Sequence, residues 1–556
     1  MPSSIRPNAL TGTKGMSKGI LHWLDRNIID LFRDFKLSYL PPLMVYVAAG
    51  ISSLTAIVGT FFVKDYLSLS SAMLASLSFW IAIPWSLKMV FGHLVDLFWR
   101  AKTLILFVGA LLIALSLLIM IGLIAERAAM ERILPVDTWY VISSLLAPLG
   151  YVLQDAVADA MTVEAVPRVS EDGSPIDEEK IKLMHTTMQT LGRVAVVGGS
   201  LLVSLINLYV FSDIQKMSEA QKVQGYLYVY WTALIIPLLS VLGVVIAVWL
   251  RANARRKLEL HGFSQVQIGQ ALDVQTEPTA PNWTILVGGL IFVVFTLTMG
   301  LSQFPYGQEI IFLGSLAILL YLIARMTSEL STEMRTTLIG TALVIFMFRA
   351  VPTPGPSITW WAIDDLKFDQ YFMSVLTLVG GVLSLAGMFI FRRFLAERSI
   401  AFVIGILAIA STIFMLPTLG MYYGLHHWTS AMTGGVVDAR FIALVDTAVE
   451  SPLGQLAMIP MLAWIARSAP ENLKAMYFAV MASFTNLALS ASQLGTKYLN
   501  EFYVVTREVR DPITGVVKVA ADYSQLGSLM VICILLSLLL PLCAVGFVKL
   551  TRFKAI

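Results

Sequence analysis

Seven ionisable residues stand inside stretches otherwise too apolar to hold charge: Lys88, Asp155, Asp159, Arg193, Arg349, Asp446 and Glu450. In a lipid-buried helix each costs about 2.5–3.5 kcal/mol on insertion scales, so such groups pair with one another or face a wet cavity. Asp155 and Asp159 are four residues apart, as are Asp446 and Glu450, which puts each pair on one helix face, presenting two negative charges to the same space. Carboxylates this close favour sharing a proton, the chemistry of a proton-coupling site. Ion pairing that only fixes helix packing is the plain alternative for any one of them. At about 1.5 Å of rise per residue, Lys88, Asp155, Asp159 and Arg193 fall at similar depth and form one expected inner cluster. Arg349 and Asp446 fall in the outer part of their stretches with Glu450 nearer the middle, a second expected cluster.

The elements that position these charges follow from composition. The 556 residues are 57% hydrophobic and 13% charged, with mean hydropathy +0.77, which excludes a soluble enzyme. A bilayer core needs roughly 20 apolar residues per helical span. Such runs recur at Leu40 to Val63, Ala72 to Val90, Thr103 to Ala125, Trp139 to Val163, Leu183 to Leu208 and Tyr226 to Leu250. A close pair follows, Trp283 to Phe304 and Gln308 to Ile323, and then Thr337 to Ala350, Tyr371 to Phe391, Ala401 to Leu425, Phe441 to Ala466, Ala475 to Leu494 and Ser524 to Val548. The expected fold is all-α and polytopic, with fourteen spans in the order six, two, six. The short span at Thr337 runs into Pro352, Pro354 and Pro356, so irregular backbone shielded by protein is expected at its end. Most of the 39 Lys and Arg residues fall on the side that holds the N-terminus, which predicts both termini in the cytosol. The domains read as a cytosolic segment 1–39 with an amphipathic helix over Ile20 to Phe35, a first bundle 40–250, a linker and extra hairpin 251–336, and a second bundle 337–556.

Gly92, Asp96 and Arg100 lie in the cytosolic turn after the second span, where Gly92 would let helices approach and Asp96 would cap a helix or pair with a basic residue to hold an inner gate shut. Trp80, Trp85, Trp360, Trp361, Tyr422 and Tyr423 stand near span ends and read as an interfacial belt. Cys533 and Cys543 read as small buried hydrophobes. Adjacent His426 and His427 without partners propose no metal. No P-loop, dinucleotide fingerprint or catalytic triad is found, so no cofactor and no catalytic residue is expected, and the net charge of +3 does not suggest nucleic-acid binding.

The run from Gly92 through Asp96 to Arg100 and Lys102 resembles the loop signature of the major facilitator superfamily. A longer ordered series is more specific. It begins with Pro84-Trp85-Ser86-Leu87-Lys88 and Gln154-Asp155-Ala156-Val157-Ala158-Asp159-Ala160-Met161-Thr162-Val163-Glu164. It continues with Arg349-Ala350-Val351-Pro352, Asp365-Leu366-Lys367-Phe368 and Arg393-Phe394-Leu395. It ends with Asp446, Gly454-Gln455, Met458-Ile459-Pro460, Ala469-Pro470 and Phe478-Ala479-Val480-Met481-Ala482-Ser483-Phe484-Thr485-Asn486. These residues resemble the folate-biopterin transporters of that superfamily, whose fold looks like twelve helices, so the central pair is additional.

The resemblance implies secondary active transport of folate, pterins or related compounds, coupled to protons, by alternating access between two six-helix bundles. Asp446 or Glu450 would read the pterin edge, and Lys88, Arg193 or Arg349 would hold an anionic tail. The expected partners are a small-molecule substrate, protons and membrane lipids, for a monomer in the plasma membrane, a bacterial inner membrane. A muropeptide permease, an S-adenosylmethionine transporter and a non-transporting assembly factor remain the alternatives.

Overall fold

The computed structural model describes residues 35–67, 69–167, 176–272, 281–301, 304, 306–326, 331–396, 398–454, 474–510 and 517–551. The amphipathic helix expected over Ile20 to Phe35 lies, but for its last residue, outside them.

The first span is two helices, α1 (Leu40–Ile51) and α2 (Leu54–Tyr66), parted where the Ser52 and Ser53 hydroxyls bond back to the carbonyls of Ala49 and Gly50. The second is α3 (Ser71–Ser86) and α4 (Lys88–Leu97), broken just after Pro84, whose ring removes a backbone donor. Then come α5 (Lys102–Ala125), the short α6 (Arg127–Glu131), α7 (Val136–Ala165) and α8 (Glu178–Val210). The sixth span is α9 (Glu219–Ala233) with α10 (Ile235–Leu260), followed by α11 (Gln265–Leu272) and the central hairpin α12 (Trp283–Leu301) and α13 (Gly307–Met326). The second half holds α14 (Thr332–Arg349), α15 (Pro356–Asp364), α16 (Gln370–Ala396), α17 (Ile400–Phe414), α18 (Leu416–Tyr422), α19 (Leu425–Met432) and α20 (Ala439–Gly454). It closes with α21 (Lys474–Phe502), a two-stranded antiparallel ribbon β1 (Val509–Arg510) and β2 (Val517–Val519), and α22 (Leu526–Leu550).

Within the described residues a helix overlaps each of the fourteen expected ranges, and ten are long and apolar enough to cross a membrane. The other four are α12, α14, α20 and α21. α14 is charged near both ends by Glu333, Arg335 and Arg349, and α20 runs up to residues outside the description. The ends alternate as antiparallel spans require. At the end where α1 begins, Ser38 donates to the Ala165 carbonyl, and Glu164 takes ion pairs from Lys102 at 2.7 Å and Arg251 at 3.6 Å. The opposite, far end holds Lys64, Ser71, Tyr226 and Gln370.

α5 and α7 approach closely through facing glycines: a Cβ on Gly109 would lie 2.7 Å from the Gly150 carbonyl oxygen, and one on Gly150 2.5 Å from that of Gly109. Close backbone approach through small residues is how lipid-embedded helices gain packing energy. Across the halves, α3 packs along α21 and α8 along α16.

Residues 351–354 leave the helix, as the prolines predict, and α21 satisfies the freed backbone. Ser492 donates to the Val351 carbonyl, Thr496 accepts from the Thr353 N–H and Asn500 donates to the Pro354 carbonyl. These three stand at four-residue spacing on one helix face. Gly355 then turns the chain at φ +67°, and a Cβ there would come within 2.9 Å of Thr496. Asn500→Ala orphans a buried carbonyl and should cost about 1–3 kcal/mol; an unchanged unfolding midpoint would show that this ladder contributes nothing.

The hairpin straddles both halves. Gln308 on α13 bonds Ser76 on α3, while the next residue, Glu309, takes Lys497 at 3.2 Å and the Tyr498 hydroxyl on α21. Asn282, ahead of α12, donates its N–H to His93 of α4.

Three expectations are corrected. Trp360 and Trp361 do not form an interfacial belt; they are 2% and 3% exposed, because α15 folds them into a core with Phe368, Phe372 and Tyr523. Cys543 is exposed where burial was expected, while Cys533 is buried. Gly92 lets no helix approach in this arrangement: among the described residues nothing lies within 4 Å of where its Cβ would be.

Candidate functional site

Lys88 opens α4 immediately after the break that Pro84 imposes, and from there its side chain reaches α7. Its Nζ lies 2.5 Å from Asp155 Oδ2 and 2.8 Å from Asp159 Oδ2, so one ammonium is shared by two carboxylates a helical turn apart. From α1, the Tyr46 hydroxyl donates to Asp159 Oδ1 at 2.8 Å. The four-residue spacing of the aspartates is what makes this possible, since both point from one face of α7 at the same cation. Exposure is graded: the Lys88 and Asp155 side chains retain 23% and 20%, and Asp159 retains 44%. Arg193 on α8 is exposed, makes no ion pair with either aspartate among the described residues, and acts on Asp155 through space. The expected inner cluster therefore assembles, with Tyr46 as a member that charge-based reading missed.

The second expected cluster does not. Asp446 and Glu450 share a face of α20, where Thr418 donates to Asp446 at 3.3 Å. Arg349 ends α14 and forms no ion pair with either carboxylate among the described residues. The physical reason is lateral: α14 packs chiefly against α21 and α22 and α20 chiefly on α16, with α17 touching both, so equal depth did not mean adjacency.

The gate motif also differs. Asp96 is an interior residue of α4 and caps nothing; α5 starts from Ala101 without a side-chain cap. It forms no ion pair among the described residues, and the Arg100 side chain lies outside them. The halves are instead fastened at the far end. Lys64 of α2 meets Asp364 of α15 at 2.6 Å, with side chains 10% and 15% exposed, and the Tyr523 hydroxyl donates to the same carboxylate at 2.5 Å. Burial, and then the neighbouring Asp364 carboxylate, push the Tyr523 hydroxyl well above its ordinary value, so it stays protonated and keeps donating. Beside this latch, Ser357 bonds both Ser71 and Asn500, and Gln370 bonds Tyr226. Lys64 falls one residue past the expected first span and Asp364 just ahead of the Asp365 motif. A sequence signal existed only in their both flanking apolar segments at the same side.

The chain resembles solved transporters in shape. A peptide transporter crystallised with sulfate superposes with TM-score 0.57 at 16% identity, covering 93% of this chain and 95% of that one. A nucleoside transporter gives 0.52 at 12% identity over 93% and 100%. At such identities the likeness shows the fold alone. In sequence, a folate-biopterin transporter of Synechocystis sp. is 28% identical over 158 residues, 28% of this chain and 31% of that relative. A Plasmodium berghei relative whose name also gives folate is 25% identical over 167 residues. The aligned stretches thus span about a third of each curated relative. The whole-length statement comes from the family model, which matches residues 48–553 and carries the resemblance across both halves: the chain belongs to the BT1 family.

Proposed function

We propose that this protein is a proton-coupled secondary transporter for folate- or pterin-like small molecules, working by alternating access between bundles 40–250 and 337–556, with the 283–323 hairpin as an addition to a fourteen-span whole. The observation that carries the reading is the single ammonium of Lys88 shared by Asp155 and Asp159, with exposed Arg193 beside it. Lys88 and the two aspartates sum to one negative charge, and Arg193 balances it. A proton on either aspartate leaves Lys88 paired with the other and Arg193 uncompensated. An anionic cargo then finds a free cation, so proton and anion binding favour each other, which is the linkage that symport requires. Asp446 and Glu450 offer a second carboxylate face for the cargo's amino edge, and Arg349 a further cation. In this reading the end holding Leu40 faces the cytosol, both termini lie there, Gly92, Asp96 and Arg100 form the inner gate only in the opposite arrangement, with the far end open, and the chain works as a monomer in a plasma membrane, a bacterial inner membrane.

The test is uptake of labelled folate, biopterin, S-adenosylmethionine and an anhydro-muropeptide into proteoliposomes, with and without an inward proton gradient. Folate or biopterin uptake should be gradient-stimulated and should vary between about pH 5 and 8. Uptake flat across that range would remove proton coupling, and muropeptide uptake alone would replace the cargo. Arg193→Gln should weaken folate binding at least tenfold, about the value of one charge-assisted contact.

A further inference from the structure

A separate cavity of about 420 Å³ lies in the far half of the first bundle, between the first, second, third, fourth and sixth spans and α15. Its walls carry the hydroxyls of Thr55, Tyr140, Ser144, Tyr151 and Tyr230, and Trp360 closes it from the second half. Among the described residues, none of its lining residues is a carboxylate, lysine, arginine or histidine, and a cation behind the wall, the buried Arg507, has its guanidinium 4.6 Å from the centre of the Trp360 ring. Tyr151 stands one turn before Asp155 on α7, so the cavity begins next to the ion-pair cluster and differs from it in chemistry.

The lining selects its occupant. A cation would lose its hydration and face Arg507, and an anion would touch no charged side chain in the lining, so the ligand is uncharged. Tyrosine and tryptophan rings offer flat faces, so it is planar. Hydroxyls both donate and accept, so its edge carries amide-like donors and acceptors. The volume falls within the roughly 300–1,000 Å³ of small-molecule pockets.

We propose that this cavity is a ligand site for an uncharged, planar, amide-edged heteroaromatic ring, and that a ring seated there contacts both halves of the protein at once. The contact across the halves follows from α15, which carries Trp360 in the cavity wall and, four residues on, Asp364 in the latch to Lys64. A ligand that touches Trp360 and the first-bundle tyrosines therefore favours the arrangement in which the far end is shut. The inference rests on the proposed cargo for the identity of the ring, which is the neutral half of a molecule whose anionic half would lie at Arg193.

Gly59 lines the cavity, and among the described residues the one atom within 4 Å of its missing Cβ is the Tyr230 hydroxyl oxygen at 3.6 Å, so Gly59→Leu fills the space without a backbone clash. Ala147→Leu fills it from α7 and serves if the first variant does not fold. The full-length protein in detergent is titrated with pterin, followed by the pterin's own fluorescence anisotropy, and with p-aminobenzoylglutamate, followed by calorimetry. Pterin should bind saturably, at least tenfold more weakly to either filled variant, while p-aminobenzoylglutamate binding stays within twofold. Arg193→Gln should show the reverse pattern. Unchanged pterin affinity in the folded filled variants, or no saturable pterin binding to the wild type, overturns the proposal. Pterin binding that is lost on filling, alongside proteoliposomes that accumulate no folate, retires the transport reading and leaves this site standing.

Discussion

Lys88→Met should destabilise the protein by roughly 3 kcal/mol, the low end of what removing one partner of a buried ion pair costs, because the three side chains keep between 20% and 44% of their exposure. The loss arises less from the missing attraction than from what remains: two aspartates four residues apart, facing each other without a cation. The partner substitutions test that account. Adding Asp155→Asn and Asp159→Asn removes both orphaned charges and should recover more than half of the loss, whereas a packing role for the lysine stem would leave the triple variant as unstable as the single one. Denaturant unfolding in mixed micelles measures both. Tyr46→Phe, which removes only the hydrogen bond to Asp159, should cost about 1–2 kcal/mol.

The second large effect is at the far end. Asp364→Asn should shift the population toward a far-end-open arrangement at least tenfold, about 1.4 kcal/mol, because it removes the counter-charge from a lysine only 10% exposed and weakens the acceptor for Tyr523. Spin labels at Ile133 and Phe502, exposed positions in the two halves, report the separation in a Cys533→Ala, Cys543→Ala background. A longer distance is expected for the variant, with the original distance restored by the swapped pair Lys64→Asp with Asp364→Lys. Identical distance distributions in wild type and variant would show that the serine and glutamine contacts close the seam unaided. Uptake should fall with the shift, since a transporter that cannot close one side cannot cycle.

The sequence by itself determined the solvent, the class and the family. Apolar runs of span length have one stable outcome in lipid, a helix, because every backbone group must be satisfied within its own segment, and ten helices among the described residues are long and apolar enough to cross a membrane. The ordered motifs reached the same family that the model matched over residues 48–553. The Lys88, Asp155 and Asp159 cluster was also legible, since four-residue spacing fixes a shared face and chain length fixes depth. Depth along a helix is a one-dimensional quantity that counting residues supplies.

Which helix lies beside which is lateral, and only the tertiary structure decided it. Arg349 and Asp446 matched in depth yet sit on helices whose main neighbours differ. The Lys64 and Asp364 latch joins residues three hundred positions apart, through a short helix, α15, that no periodicity in nine residues could announce. Tyr46, Ser492, Thr496 and Asn500 carry no charge and so gave no signal in an apolar chain; their importance comes from the carboxylate, carbonyl or backbone N–H each one bonds. The far-half cavity is a further case, an empty volume bounded by five spans and α15, and empty volume is a property of packing that leaves no mark on the order of residues.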